Sequence, residues 1–222
     1  MRRPFLTPWL TLGALLGAAV ANAQAPALPP PPPEEDETSP LVPPATDTLG
    51  GHLVLALSPA VAVPGGSFDR SQPASRLGPG WGASADVGFG ISRAVALGVY
   101  GQYFAHQAGS GSLRVTTSHF AVGPFVRYHV VQGLRFDPWI LVGAGYESAT
   151  VTEGSAKRKF SGVEWLRFAV GGDYYVFSGL AFGPFVELDF GSFLERPAEG
   201  TPTTVHTAFL AGLRLTFDTP GK

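Results

Sequence analysis

Cysteine is absent from this 222-residue chain, which excludes disulfides, thiolate metal sites and a cysteine-linked lipid anchor. Charge is scarce. Asp, Glu, Lys and Arg together supply 14% of the residues, against about 25% in ordinary soluble domains. There is no basic block and the net charge is −2, so a nucleic-acid partner has no electrostatic footing. Long apolar runs are missing as well. Beyond the N-terminal segment no stretch reaches the ~18 residues of a membrane helix, although hydrophobic residues make up 45% of the chain. A chain this apolar, this poor in charge and without long apolar runs fits one arrangement well: apolar residues that alternate with polar ones and face lipid. The 29 glycines and the 12% aromatic content suit the same arrangement.

Arg2 and Arg3 precede the apolar stretch from Leu10 to Val20, and Ala21-Asn22-Ala23 fits the small-residue rule for signal-peptidase cleavage. Residues 1–23 are therefore expected to be a secretory signal. Residues 24–49 read as a disordered linker. They hold Pro29 to Pro33 in a row, and Glu34, Glu35, Asp36, Glu37 and Asp47 have no basic neighbour. Pro-rich runs of this kind form extended, semi-rigid spacers.

From residue 50 the period is two. In 81–91 the odd positions Trp81, Ala83, Ala85, Val87, Phe89 and Ile91 are apolar, and Gly82, Ser84, Asp86, Gly88 and Gly90 lie opposite. Similar alternation recurs in 51–63, 94–106, 118–130, 138–150, 164–177, 180–192 and 204–217, which makes eight strands. Their connections alternate long and short, with Ser92-Arg93 and Ser178-Gly179 as the tightest. Residues 151–163 are expected to form a loop tipped by Lys157, Arg158 and Lys159. The fold class is all-β: an eight-stranded antiparallel up-and-down transmembrane barrel over 50–217, followed by a short tail, 218–222.

Periodicity alone does not say which face points in, and a soluble barrel would reverse it. Three features decide. Asp86, Arg127, Arg167, Asp173, Glu187, Asp189 and Arg214 share one face with most of the glycines, as a narrow interior requires. The apolar face holds almost no Lys or Glu. Its aromatics gather toward the strand ends, as the girdles of a membrane barrel do. Three arginines against four carboxylates inside read as a packed ion-pair network filling the lumen, not as a pore.

Pro138-Trp139 leading into Gly143-Ala144-Gly145-Tyr146, the Gly-Pro-Phe-Val repeated at 123–126 and 183–186, and the last strand with Gly212, Leu213, Leu215 and Phe217 together resemble the small outer-membrane β-barrel family of OmpA/OmpX type. The last strand is similar to that family's C-terminal insertion signal, although five residues follow Phe217 here. The resemblance implies an outer-membrane location, a periplasmic linker, the barrel-assembly machinery as a partner during insertion, and outer-membrane lipids and lipopolysaccharide as neighbours of a monomer. Lys157, Arg158 and Lys159 are the candidate lipopolysaccharide contact. The tail 218–222 lies beyond the last apolar position, so its removal is expected to matter little.

Chemistry-bearing residues are few. His106, His119 and His206 fall near the outer strand ends on the lumen face, and Ser118 precedes His119. Some barrels of this kind modify lipid A with His, Ser and an acid, but on the lipid-facing side. Histidines spaced this irregularly also make a poor metal cluster. The expectation is a non-enzymatic surface or structural barrel, with no catalytic residue, metal or cofactor. A conduit for small or apolar solutes is the alternative, and a lipid A-modifying enzyme a more distant one.

Overall fold

A computed structural model describes residues 49–69, 72–73, 78–108, 115–131, 135–195 and 205–219. The expected signal, 1–23, and all of the expected linker, 24–49, except Leu49 lie outside them. The strands are β1 (Leu53–Asp69), the two-residue β2 (Gln72–Pro73), β3 (Gly80–Gly90), β4 (Val95–Ala108), β5 (Val115–His129), β6 (Phe136–Glu153), β7 (Ala156–Phe177), β8 (Leu180–Glu195) and β9 (Val205–Thr219). All pairs are antiparallel. β2 only folds back on the far end of β1. The remaining eight run in sequence order, and β9 returns to pair with β1, with Leu55 opposite Phe217 and Leu57 opposite Leu215. Closure leaves neither of these strands with an open edge.

Each strand alternates between an exposed apolar and a buried face. In β3, Val87 and Phe89 point outward while Ser84, Asp86 and Gly88 point inward or lie buried. Exposed aromatics mark both ends of the outer face. Trp81, Tyr103, Phe120 and Tyr146 ring the end with the longer connections, here the loop end. Phe89, Tyr128, Tyr174, Phe182 and Phe217 ring the end with the short turns and both termini of the barrel, the turn end. The largest fully buried side chains include Trp139, Arg127, Arg167 and Tyr100, and these fill the interior.

Three sequence expectations are corrected. Residues 151–163 are not a loop. β6 and β7 pair continuously up to Glu153 and Ala156, joined at Gly154, whose φ of +59° suits a tight turn. The Lys157-Arg158-Lys159 cluster thus sits in a strand: Lys157 and Lys159 are exposed on one face, while Arg158 turns to the other and pairs with Glu153 at 3.1 Å. The stretch 218–222 is not wholly a tail. β9 runs to Thr219, and Val54 opposes Asp218 in the ladder. The turn after β3 takes 91–94 instead of two residues, with Ile91 and Ser92 both bonded to Val95.

A bulge in β7 has the largest consequence inside. Gly145 opposes Glu164 and Gly143 opposes Arg167, so β7 carries one extra residue near Trp165 and Leu166. An inserted residue reverses which side chains point inward beyond it. Below the bulge Arg167, Ala169 and Asp173 are buried. Above it Phe160, Gly162 and Glu164 are.

Candidate functional site

The lumen is the only region that collects chemistry-bearing side chains from many strands among the described residues. It forms three tiers, each set by the inward positions at one height of the barrel.

At the turn end, His52 Nδ1 lies 2.7 Å from Asp218 Oδ1, and His129 Nδ1 lies 2.6 Å from Asp137 Oδ2. The Tyr175 hydroxyl donates to Asp218 at 3.5 Å. None of these four acid and imidazole groups was singled out from the sequence. Asp137 and Asp218 lie just outside the expected strands 138–150 and 204–217, whereas His52 and His129 fall inside theirs, on the inward face.

The middle tier contains the expected network. Arg127 donates to Asp86 at 3.0 Å, and Arg214 donates to the same carboxylate. Arg214 also reaches Thr216 at 3.2 Å, and Thr216 donates to Asp173 at 3.0 Å. Arg127 and Arg214 pack near the Trp139 ring, at 5.4 and 5.0 Å from its centroid. Arg167 donates to Glu187 through two nitrogens, at 3.0 and 2.7 Å, and lies 4.2 Å from the centre of the Tyr100 ring. Tyr100 donates to Glu164, and Gln102 Nε2 donates to Glu164 and to Asp189 at 3.2 Å each. All seven expected residues are buried. Six of them meet in ion pairs, while Asp189 meets an amide instead. A buried ion pair gains little net stability, yet breaking one leaves an uncompensated charge.

Near the loop end, His119 on β5, Glu147 on β6 and His206 on β9 converge. Glu147 Oε2 lies 3.4 Å from His119 Nε2 and 2.9 Å from His206 Nε2. Glu147 reaches over Gly191 to do so; a Cβ there would lie 2.4 Å from Oε1. The ligand atoms of the three residues lie within 4.8 Å of one another. The sequence placed each on the inward face but did not bring them together. Ser118 does not join them, because consecutive strand residues face opposite sides. His106 stands apart, its Nδ1 3.3 Å from the Gly78 carbonyl.

Counted over these tiers, the buried carboxylates are Asp86, Asp137, Glu147, Glu164, Asp173, Glu187, Asp189 and Asp218, and the buried guanidiniums are Arg127, Arg167 and Arg214. The interior is more acidic than the near-balanced set expected from the sequence. Glu164 is hidden by the bulge, and Glu147 lies on a strand that alternates poorly.

On the outside, a groove of about 620 Å³ runs along the β6–β7 hairpin beside Tyr146, lined in part by Ser148, Lys157 and Lys159. Its lysines and polar groups, together with the carboxylate of Glu195, lie beyond the Tyr146 girdle toward the hairpin tip.

No family model and no curated protein matches the chain. Solved structures do. Neisserial surface protein A aligns over 75% of this chain and 97% of its own, with a TM-score of 0.51 and 14% identity. OprG of Pseudomonas aeruginosa aligns over 77% and 97%, at 0.47 and 14%. Ail of Yersinia pestis, its attachment invasion locus protein, aligns over 76% and 99%, at 0.45 and 12%. Identities this low speak to the fold alone. Together with the closed ring of eight strands, the apolar outer face and the filled interior, the match to Neisserial surface protein A shows that the chain has the fold of the small eight-stranded outer-membrane β-barrels.

Proposed function

We propose that the chain is an integral outer-membrane protein, inserted as a monomer, whose lumen is sealed by its own side chains and whose partners meet it from outside. The observation that carries this reading is the reversal of faces. Leu, Val and aromatic side chains stand exposed along the barrel strands, while Arg127, Arg167 and Arg214 are buried inside. An exposed apolar surface this extensive has no counterpart on a soluble monomer, and lipid is the solvent that suits it. The sealed interior supports a surface or structural role over a conduit, and no Ser–His–acid arrangement among the described residues supports an enzyme. Cell fractionation with heat-dependent gel mobility tests the location, and planar-bilayer recording tests the seal. Outer-membrane recovery with no steady conductance is expected. Steady open conductance from pure monomer refutes the sealed lumen, and recovery in the soluble fraction refutes the location.

Lipopolysaccharide fits the external groove. Lys157 and Lys159 are exposed in this groove, beyond Tyr146 toward the hairpin tip, where their charges can meet a lipid's phosphates. Attraction between lysine and phosphate is screened by salt, so binding of purified lipid A should weaken as salt rises. Lys157→Ser with Lys159→Ser should reduce it further. Equal binding by the double variant at low salt removes this contact.

A further inference from the structure

We propose that His119, Glu147 and His206 form a binding site for one divalent transition metal ion, Zn²⁺ foremost, at the loop-end mouth of the barrel. The inference stands whether or not the chain reaches an outer membrane.

Three independent features point to a cation. First, the donor set is suitable. Two imidazole nitrogens and one carboxylate oxygen suit zinc and its neighbours, whereas Mg²⁺ and Ca²⁺ prefer oxygen alone. Second, the spacing is suitable. In a tetrahedral shell with metal–ligand lengths of about 2.0–2.1 Å, neighbouring donor atoms stand about 3.3–3.4 Å apart. Two of the three separations here are 3.4 and 2.9 Å, and the third, between the imidazole nitrogens, is within 4.8 Å, so small side-chain rotations admit an ion. Third, the carboxylate is left short of positive charge. Its side chain is 1% exposed, its partners are the two imidazoles, and Oε1 is buried with no hydrogen-bond partner. A cation would engage Glu147 in place of the imidazole protons, which binding would release.

The site is also held in shape. Phe193 stacks on His206 with ring centres 4.3 Å apart and planes 12° apart. Gly191 offers no side chain to block Glu147. His119 is the most open of the three, at 15% side-chain exposure, which leaves a side for entry and for a water as fourth ligand. The remaining buried acids make the interior a favourable field for a cation.

The test uses the full-length folded barrel in detergent, stripped with a chelator and titrated with ZnCl₂ or CoCl₂ alone. One ion per chain is expected, with the visible Co²⁺ bands of a four-coordinate complex and an X-ray absorption spectrum of the zinc form showing two imidazoles. His206→Ala and His119→Ala should each weaken binding by more than the roughly tenfold that loss of an outer-shell partner costs. His52→Ala and His129→Ala, at the opposite end, should leave it unchanged. Heat-dependent gel mobility confirms that each variant is folded. If His206→Ala does not fold, His119→Gln serves, since its contact is the longer and more exposed. Unaltered affinity in folded His119 variants overturns the site, as does a wild-type spectrum without imidazole ligands. An absence of stoichiometric binding does the same, and leaves a proton-bridged clasp.

Discussion

Asp218→Ala reports on the last strand more sharply than any truncation. In the folded chain the Asp218 carboxylate is 1% exposed and accepts from His52 at 2.7 Å and from the Tyr175 hydroxyl at 3.5 Å. Replacement by Ala removes an acceptor that carries charge and leaves a buried imidazole nitrogen unsatisfied. Such losses cost about 1–3 kcal/mol. We take about 2 kcal/mol, which lowers the folding equilibrium constant roughly thirtyfold. Asp218→Asn keeps one oxygen for His52 and should cost about 1 kcal/mol. A stop after Phe217 also removes the Asp218 amide bond to the Gly179 carbonyl at 2.9 Å and the Thr219 hydroxyl bond to the Leu53 carbonyl at 3.0 Å. At about 1 kcal/mol each, its total reaches about 4 kcal/mol, contrary to the small effect expected from the sequence. The assay is urea unfolding of the barrel in lipid vesicles, with a double-mutant cycle through His52→Ala. Coupling of about 1–2 kcal/mol is expected. Additivity within about 0.5 kcal/mol, the mark of independent sites, refutes the pairing.

Val170 faces outward between Ile140 and Val186; Val170→Arg should destabilise the barrel by about 2–4 kcal/mol if it lies near the bilayer midplane. The same urea titration reads this, and wild-type stability would mean the faces are reversed. Its inward neighbour acts differently. A Cβ at Gly171 would lie 2.5 Å from the Trp139 ring and 2.9 Å from the Pro184 carbonyl, so Gly171→Ala should cost about 1–3 kcal/mol by overpacking and shift the tryptophan emission. Unchanged stability and emission would contradict that crowding. Deletion of 212–222 strips the partners of β1 from Leu53 to Ala60 and exposes unpaired backbone, several kcal/mol per group in hydrocarbon. Fractionation should then find no membrane-inserted, heat-modifiable form, and normal insertion would overturn closure through β9.

The period of two made most of the barrel legible. Val87 and Phe89 against Asp86 and Gly88, repeated strand after strand, fixed faces and strand number because every inward step must fit a narrow interior. Legibility failed where one residue breaks the period. The extra residue near Trp165 turned Glu164 inward, and no local property of Glu-Trp-Leu distinguishes it from a regular strand. It failed again at 151–163, where three cations in a row suggested a loop although alternation separates them. The cluster of His119, Glu147 and His206 was hidden for another reason. Each lies inward on its own strand, but their meeting depends on register and on strand height. Counting inward from the loop end of each strand, with β9 closed onto β1, is the signal that would have found it. The Asp218 pairing was missed because an apolar Phe217 made a natural stopping point.

The β6–β7 hairpin has a consequence for reach. Its strands hold 18 and 22 residues, and eight residue steps lead from Tyr146 on the girdle to the turn at Gly154. At about 3.3 Å per residue and a tilt near 40°, the ribbon rises roughly 20 Å above the level of the girdle. Its inner side is buttressed by Val151, Phe160 and Phe193. A mast of paired backbone transmits load along its length, where a loose loop would yield. Whatever grips its tip therefore pulls on the barrel wall directly.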